Sequence, residues 1–502
     1  MVLRTYTVAF HGAEAAPVEV QCALSPGVPG FSIVGLPDKA VSEARERVRA
    51  ALSAMRIALP AQRITINLSP ADMPKAGSHY DLPIALAILA ALKVIPPEVA
   101  EEHSSLGELS LDGKIIPVAG ALPAAMAAAG EERGLLCAAG SAPEAAWSAA
   151  TRVIGAASLA DLVRHLTGQT PLPEAEAGAV RRNRDTPDLR DVRGQEKAKR
   201  ALEIAAAGRH HLLMIGPPGA GKSMLARRLP GILPDLDPRE ALETSILHSL
   251  AGLLDGAISS APPFMEPHHT ASTAAIIGGG RGAQPGEISL AHNGVLFLDE
   301  MPEFAPAVLD TLRQPMESGE VTVSRAAAHV RYPCRVLLVA AANPCRCGYL
   351  ANPERACSQA PKCSEKYMGK VSGPLMDRFD LRFEVPEMPV YELDLPPTGD
   401  HSEVVRDRVS RARGRQARRH AEAGSALLNA DLAGALLDRF AAPDAEGRDL
   451  LLRAAERFGL SARGYHRVLR VARTIADLEG AETIHRPHIA EALAYRVPGL
   501  AG

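Results

Sequence analysis

Eight residues near the middle of the chain, Gly216-Pro217-Pro218-Gly219-Ala220-Gly221-Lys222-Ser223, have the glycine spacing, the lysine and the hydroxyl that a triphosphate cradle requires. Glycines let backbone N–H groups turn inward around phosphate oxygens, and the start of the following helix adds positive potential. Lys222 then reaches the β and γ phosphates of ATP, and Ser223 offers an oxygen to Mg²⁺. Downstream, the apolar run Val295-Leu296-Phe297-Leu298 ends in Asp299-Glu300. Open parallel sheets bind ligands at the carboxyl ends of their strands. Asp299 is therefore expected in the Mg²⁺ shell, with Glu300 polarising the attacking water. Asn343 follows a third apolar run, Val336 to Ala341, and is a neutral group suited to orient that water. Asn-Pro is also a common turn, so this residue alone carries little.

For these groups to converge, the runs that carry them must be neighbouring strands. His211 to Ile215, Val295 to Leu298 and Val336 to Ala341 are short and nearly all apolar, the pattern of strands buried on both faces of a parallel sheet. Residues 189–400 are thus read as an α/β core. Residues 1–168 alternate apolar runs (Ile64 to Leu68, Ile115 to Val118) with alanine-rich helical stretches (Leu82 to Leu92, Ala121 to Ala129) and read as a separate α/β domain. Residues 169–188, rich in Pro, Gly and charge, read as a linker. Residues 401–502 show helical spacing through Leu432 to Phe440, Leu450 to Phe458 and Tyr465 to Leu478 and read as a small helical domain. The arginines between Arg406 and Arg419 suggest DNA, but a solvated helix face explains them more simply.

Composition narrows the setting. With 502 residues and 47% hydrophobic content the chain supports several full-sized cores. No export signal or run long enough to cross a membrane is evident, and seven cysteines without a paired pattern fit a reducing compartment, so the expected location is cytoplasmic. A net charge of −3 leaves DNA binding to local features. Four of the cysteines, Cys345, Cys347, Cys357 and Cys363, fall in one 19-residue loop with turn formers between them. Four thiolates in such a loop can close a tetrahedral Zn²⁺ shell, although the Cys-X-Cys start is tighter than the usual spacing. Reduced free thiols are the alternative. His268 and His269 have no flanking ligands and read as structural polar groups.

Together the phosphate loop, the acidic strand end and Asn343 resemble the AAA+ superfamily. The segment Ser372-Gly373-Pro374-Leu375-Met376-Asp377-Arg378-Phe379-Asp380 is similar to the arginine-finger segment of its helix-2-insert clade. That resemblance implies that Arg378 reaches the γ-phosphate of a neighbouring subunit, where a fixed guanidinium charge meets developing negative charge. The plain alternative is an ion pair with Asp377 or Asp380. Ser461-Ala462-Arg463 is similar to the second sensor, which implies a phosphate contact for Arg463, with Arg467 as its rival.

At closer range the chain resembles the magnesium-chelatase-like ATPases of the ComM/YifB family. Gly35-Leu36-Pro37-Asp38, Asp81-Leu82-Pro83-Ile84-Ala85, Gly107-Glu108-Leu109-Ser110-Leu111-Asp112-Gly113, Pro267-His268-His269-Thr270-Ala271-Ser272 and Val471-Ala472-Arg473-Thr474-Ile475-Ala476-Asp477 carry the likeness, which covers essentially the whole length. It implies a homohexameric ring that hydrolyses ATP to move along DNA and drives branch migration during natural transformation. Two insertions stand where such motors place pore loops: one around Pro263 to Gly286 containing Arg281, and an expected hairpin over Glu320 to Val330 containing Arg325. Both arginines are candidates for the DNA backbone, or for acids at subunit boundaries. Residues 1–168 resemble the proteolytic domain fold of the Lon family, around Pro74 to His79 and Gly107 to Gly120. His79 and Ala124 stand at the nucleophile and lysine positions and Ser78 lacks an evident base, so no peptidase is expected. The competing functional reading is a chaperone-like ATPase that remodels a protein partner, as in magnesium chelatase; a nucleotide-switched scaffold without turnover fits Asp299, Glu300 and Arg378 poorly.

Overall fold

The structure, a computed structural model, describes residues 2–181, 186–280, 283–325, 328–350, 354–389, 396–421 and 428–496. The N-terminal domain is built on a seven-stranded sheet in the order Gly30–Val34, Arg63–Ser69, Glu14–Ser25, Val2–His11, His103–Ser105, Gly134–Ala138, Val153–Ala156. Its centre is a long antiparallel hairpin, Val2–His11 against Glu14–Ser25; Arg63–Ser69 adds antiparallel on one side with Gly30–Val34 parallel beyond it, and three parallel strands extend the other side. The helix Asp81–Ala91 is apolar on every side and buried from Asp81 to Ala90, as a helix without a polar face must be. Asp81 tolerates that position because Arg47 donates to both its oxygens, at 2.5 and 2.9 Å, and the Leu109 N–H donates at 3.1 Å.

The second domain holds a five-stranded sheet, Phe264–Met265, Val295–Leu298, Leu337–Ala342, Leu212–Ile215, Leu381–Glu384, with every pairing parallel. The three strands expected from apolar runs are adjacent in it, and their fully buried side chains explain the absence of alternation. The two edge strands carry no such signal. The predicted hairpin is present, Glu320–Arg325 paired with Ala328–Pro333.

The C-terminal helices Ser402–Ala421, Gly434–Phe440, Ala445–Phe458, Ala462–Glu479 and Arg486–Ala494 share one hydrophobic core with the sheet and with the helix Glu196–Gly208. The arginine run on the first of these is corrected by the structure: it is not simply a solvated face. Arg408 pairs with Glu203 at 2.5 Å, Arg413 donates to the Ala206 carbonyl at 2.7 Å, and Arg415 donates to the Asp477 carbonyl at 2.6 Å. Arg408 and Arg413 thus bind the helix to the nucleotide domain, and Arg415 binds it to the C-terminal helix Ala462–Glu479. Described parts of the linker are likewise held in place by both domains. Val180–Arg181 pairs with Ile258–Ser259, and Asp188 accepts from the Ser402 N–H at 3.0 Å.

The two α/β domains dock closely. Gly120 N–H donates to the Ser249 carbonyl at 3.0 Å, the Trp147 indole donates to the Gly256 carbonyl at 3.3 Å, and buried Glu144 accepts from Ser249. Among the described residues no helix is long and apolar enough to cross a membrane.

Candidate active site

The strand Leu212–Ile215 runs into the glycine loop, which turns into the helix Lys222–Ala226. Gly221 caps that helix at φ +90°, a left-handed conformation that a side chain would strain. A cleft of about 330 Å³ opens over the loop, walled by Asp299, Glu300 and Asn343. These groups come from three adjacent strands, all at the carboxyl edge of the sheet. Lys222 Nζ donates to the carbonyls of Gly216 at 2.7 Å and Pro217 at 2.9 Å, and to Asn343 Oδ1 at 3.0 Å. Burial pushes its pKa down from the ordinary value, against the charges of Asp299 and Glu300, which favour the ammonium. Ser223 Oγ donates to Asp299 Oδ2 at 2.6 Å, so a hydroxyl and a carboxylate converge as an Mg²⁺ shell requires. Glu300 sits at φ +49°, a strained position for a non-glycine residue, and its exposed carboxylate faces the cleft.

Arg378 lies at the other edge. Asp380 precedes the strand Leu381–Glu384, whose first residue pairs with Leu212, whereas the phosphate loop leaves after Ile215. Roughly 10 Å of strand therefore separates the arginine's end of the sheet from the loop of its own chain. There it lines a cavity of about 550 Å³ together with Arg463 and Arg467. Arg378 pairs with Glu317, not with the neighbouring acids. Burial lowers its pKa and Glu317 opposes that. Asp377 lies 3.6 Å from Arg382, and Asp380 takes Arg467 at 2.5 Å and His210 at 3.3 Å. Burial works against the Asp380 charge, yet His210 and Arg467 hold its pKa well below the carboxylate range. Arg467 also donates to the Arg378 carbonyl at 2.9 Å. The two sensor candidates thus part company: Arg467 is committed to Asp380 and to the backbone that carries Arg378, whereas Arg463 is exposed beside Arg378.

With this geometry stands a set of likenesses. Residues 188–393 match the family described as magnesium chelatase, subunit ChlI, residues 18–141 match subunit ChlI of Mg-chelatase, and residues 399–496 match the subunit ChlI C-terminal family. Competence protein ComM of Haemophilus influenzae is 45% identical over 98% of this chain and 96% of its own length. The chain belongs to the magnesium-chelatase-like AAA+ ATPases. Within the family it is also similar to YifB of Salmonella typhimurium, 43% identical over 98% of this chain and 96% of that one. The magnesium-chelatase 38 kDa subunit of Rhodobacter capsulatus is more distant, 26% identical over 59% of this chain and 82% of its own.

Three of the four loop thiols come together against this site. The ligand atoms of Cys345, Cys347 and Cys363 all lie within 4.8 Å of one another, with Cys345 and Cys347 sulfurs 3.1 Å apart. The Tyr349 backbone N–H, the Cys345 thiol and the Cys357 backbone N–H hold the Cys347 thiol down to about 6. His268 and His269 stack at 4.2 Å, and His268 bonds Thr270 Oγ1 at 2.7 Å, a structural role. Of the two DNA candidates, Arg281 lies outside the described residues. Arg325 ends the first hairpin strand opposite Ala328, and its side chain is likewise outside them. In the N-terminal domain Ala124 is buried, and His79 Nε2 bonds the Val8 carbonyl at 2.9 Å while burial pushes its pKa down to about 4. Glu317 escaped the sequence reading because nothing near it marks it as a partner for a residue 61 positions later.

Proposed function

We propose that the chain is one subunit of a six-membered, cytoplasmic ring that hydrolyses ATP to move along DNA, promoting branch migration during natural transformation. The observation that carries this reading is the placement of Arg378 and Arg463 at the sheet edge opposite their own phosphate loop. Neither can serve that loop, so both are assigned to the nucleotide of an adjacent copy. In this reading Lys222 binds the β and γ phosphates while the N–H groups of residues 216–223 orient them. Ser223 and Asp299 hold Mg²⁺, which when bound neutralises charge on the phosphate oxygens. Glu300 polarises the attacking water and Asn343 orients it. The thiols add a structural Zn²⁺. The N-terminal domain serves assembly or DNA contact, because the pair needed for peptidase chemistry is missing.

The similarity to a competence protein favours DNA as the track, with Arg281 and Arg325 on its backbone. The test is the ATPase rate without DNA and with single-stranded, duplex and branched DNA. Stimulation that fades as salt rises is expected, along with its loss when both arginines are made neutral. Rates indifferent to every DNA, but raised by a protein partner, would replace this reading with a chaperone-like remodelling ATPase.

A further inference from the structure

The cysteine loop lies behind the nucleotide cleft and bears on the phosphate loop that lines it. Cys345 follows two residues after Asn343, whose side chain receives the Lys222 ammonium at 3.0 Å. Gly348, at φ +83°, presses on the phosphate loop so closely that a Cβ there would stand 2.4 Å from Pro218 Cδ. Ser364 Oγ donates to the Pro344 carbonyl at 2.6 Å, tying the far end of the loop back to its start. The Gly348 N–H donates to the Cys345 carbonyl at 2.9 Å, so the turn that bears on Pro218 is closed at the first of the loop's four thiols.

Their arrangement suits a divalent soft cation. Tetrahedral Zn²⁺ with Zn–S near 2.3 Å places its sulfurs about 3.8 Å apart. Cys345, Cys347 and Cys363 meet that scale, all mutually within 4.8 Å. Cys357, half-buried in the same loop, lies outside this close group of three and is the thiol left in the loop to supply the fourth ligand. All seven cysteines of the chain are free, so no disulfide competes.

We propose that Cys345, Cys347, Cys357 and Cys363 bind one Zn²⁺ and that the closed knuckle fixes Pro218 and Asn343 in their nucleotide-binding positions. Binding is ligand exchange without redox change: each ligating thiol releases its proton to water as its sulfur bonds the metal. The metal site stands on the thiols alone, whereas its coupling to the cleft rests on the assignment of that cleft to ATP.

The full-length protein, purified without chelator, is assayed for zinc by mass spectrometry and for thiol reactivity. One zinc per chain is expected, released in step with mercurial modification, and Cys357→Ser should weaken zinc retention at least tenfold. A zinc-free protein whose four loop thiols all label freely, or a Cys345–Cys347 disulfide, overturns the site. For the coupling, Gly348→Ala keeps every ligand but drives a methyl into Pro218. Zinc content should stay whole while the Kd for a fluorescent ATP analogue rises tenfold or more, with Lys222→Ala marking lost binding. Unchanged affinity in Gly348→Ala and in zinc-stripped wild type overturns the coupling. Wild-type protein that holds zinc yet binds no nucleotide refutes the cleft assignment and the coupling with it, and leaves the metal site standing.

Discussion

At the scale of single residues the cleft divides binding from turnover. Lys222 and Ser223, which rest on the Gly216 carbonyl and on Asp299, are groups that a triphosphate and its Mg²⁺ would engage in the ground state, whereas Glu300 stands exposed at a strained backbone position where its carboxylate can meet a water. A side chain that acts on the water matters to the rate and little to affinity. Glu300→Gln keeps size and hydrogen bonding but not basicity. It is expected to bind ATP normally and to lose about 100-fold or more in hydrolysis, the range for removal of a positioned general base. Steady-state ATPase beside equilibrium nucleotide binding checks this; equal losses in both would assign Glu300 to binding instead.

At the scale of elements, the strand Leu337–Ala342 delivers Asn343 to the cleft and is pinned at its start by histidines. The Leu338 N–H donates to His211 Nδ1 at 3.2 Å, and the Arg335 N–H donates to His292 Nδ1 at 3.0 Å. A ring nitrogen accepts only when unprotonated, and burial pushes both pKa values down to about 4. The unfolded chain protonates these rings near pH 6.5, before the folded one does. Stability is therefore full above about pH 6.5 and lost as pH falls toward 4, by about 1.4 kcal/mol per pH unit for each histidine. His211→Asn retains an acceptor without the titration, so its urea midpoint should fall less steeply across that window. An unaltered slope would show that His211 is already protonated in the folded state.

At the scale of the whole molecule, the proposed function needs more than one copy. Each chain carries its phosphate loop at the carboxyl edge of the sheet and Arg378 at the amino edge. In the proposed ring, one chain's arginine stands against the next chain's loop. Arg378→Ala and Lys222→Ala are each expected to abolish ATPase activity, since loss of an arginine finger costs about 1,000-fold or more. Mixed in one assembly, they should regain part of the turnover, because sites formed by the intact loop of one chain and the intact arginine of another are whole. Mixtures no more active than either parent would place both groups in one chain's site.

The phosphate loop, the acidic strand end, the three central strands and the helical end of the chain were all legible in the sequence. Phosphate recognition uses contiguous backbone N–H groups, and a doubly buried strand writes itself as an apolar run. The edge strands Phe264–Met265 and Leu381–Glu384 escaped because two residues, or one alternation over four, are too short to make a pattern. Only the folded chain decided which of Arg463 and Arg467 is tied up, that Glu317 covers Arg378, that the arginine run fastens a helix to the core, and that the cysteine turn bears on Pro218. These are contacts between residues far apart along the chain. Their distances are set by how the chain packs on itself within and between its domains, and no local spacing encodes them.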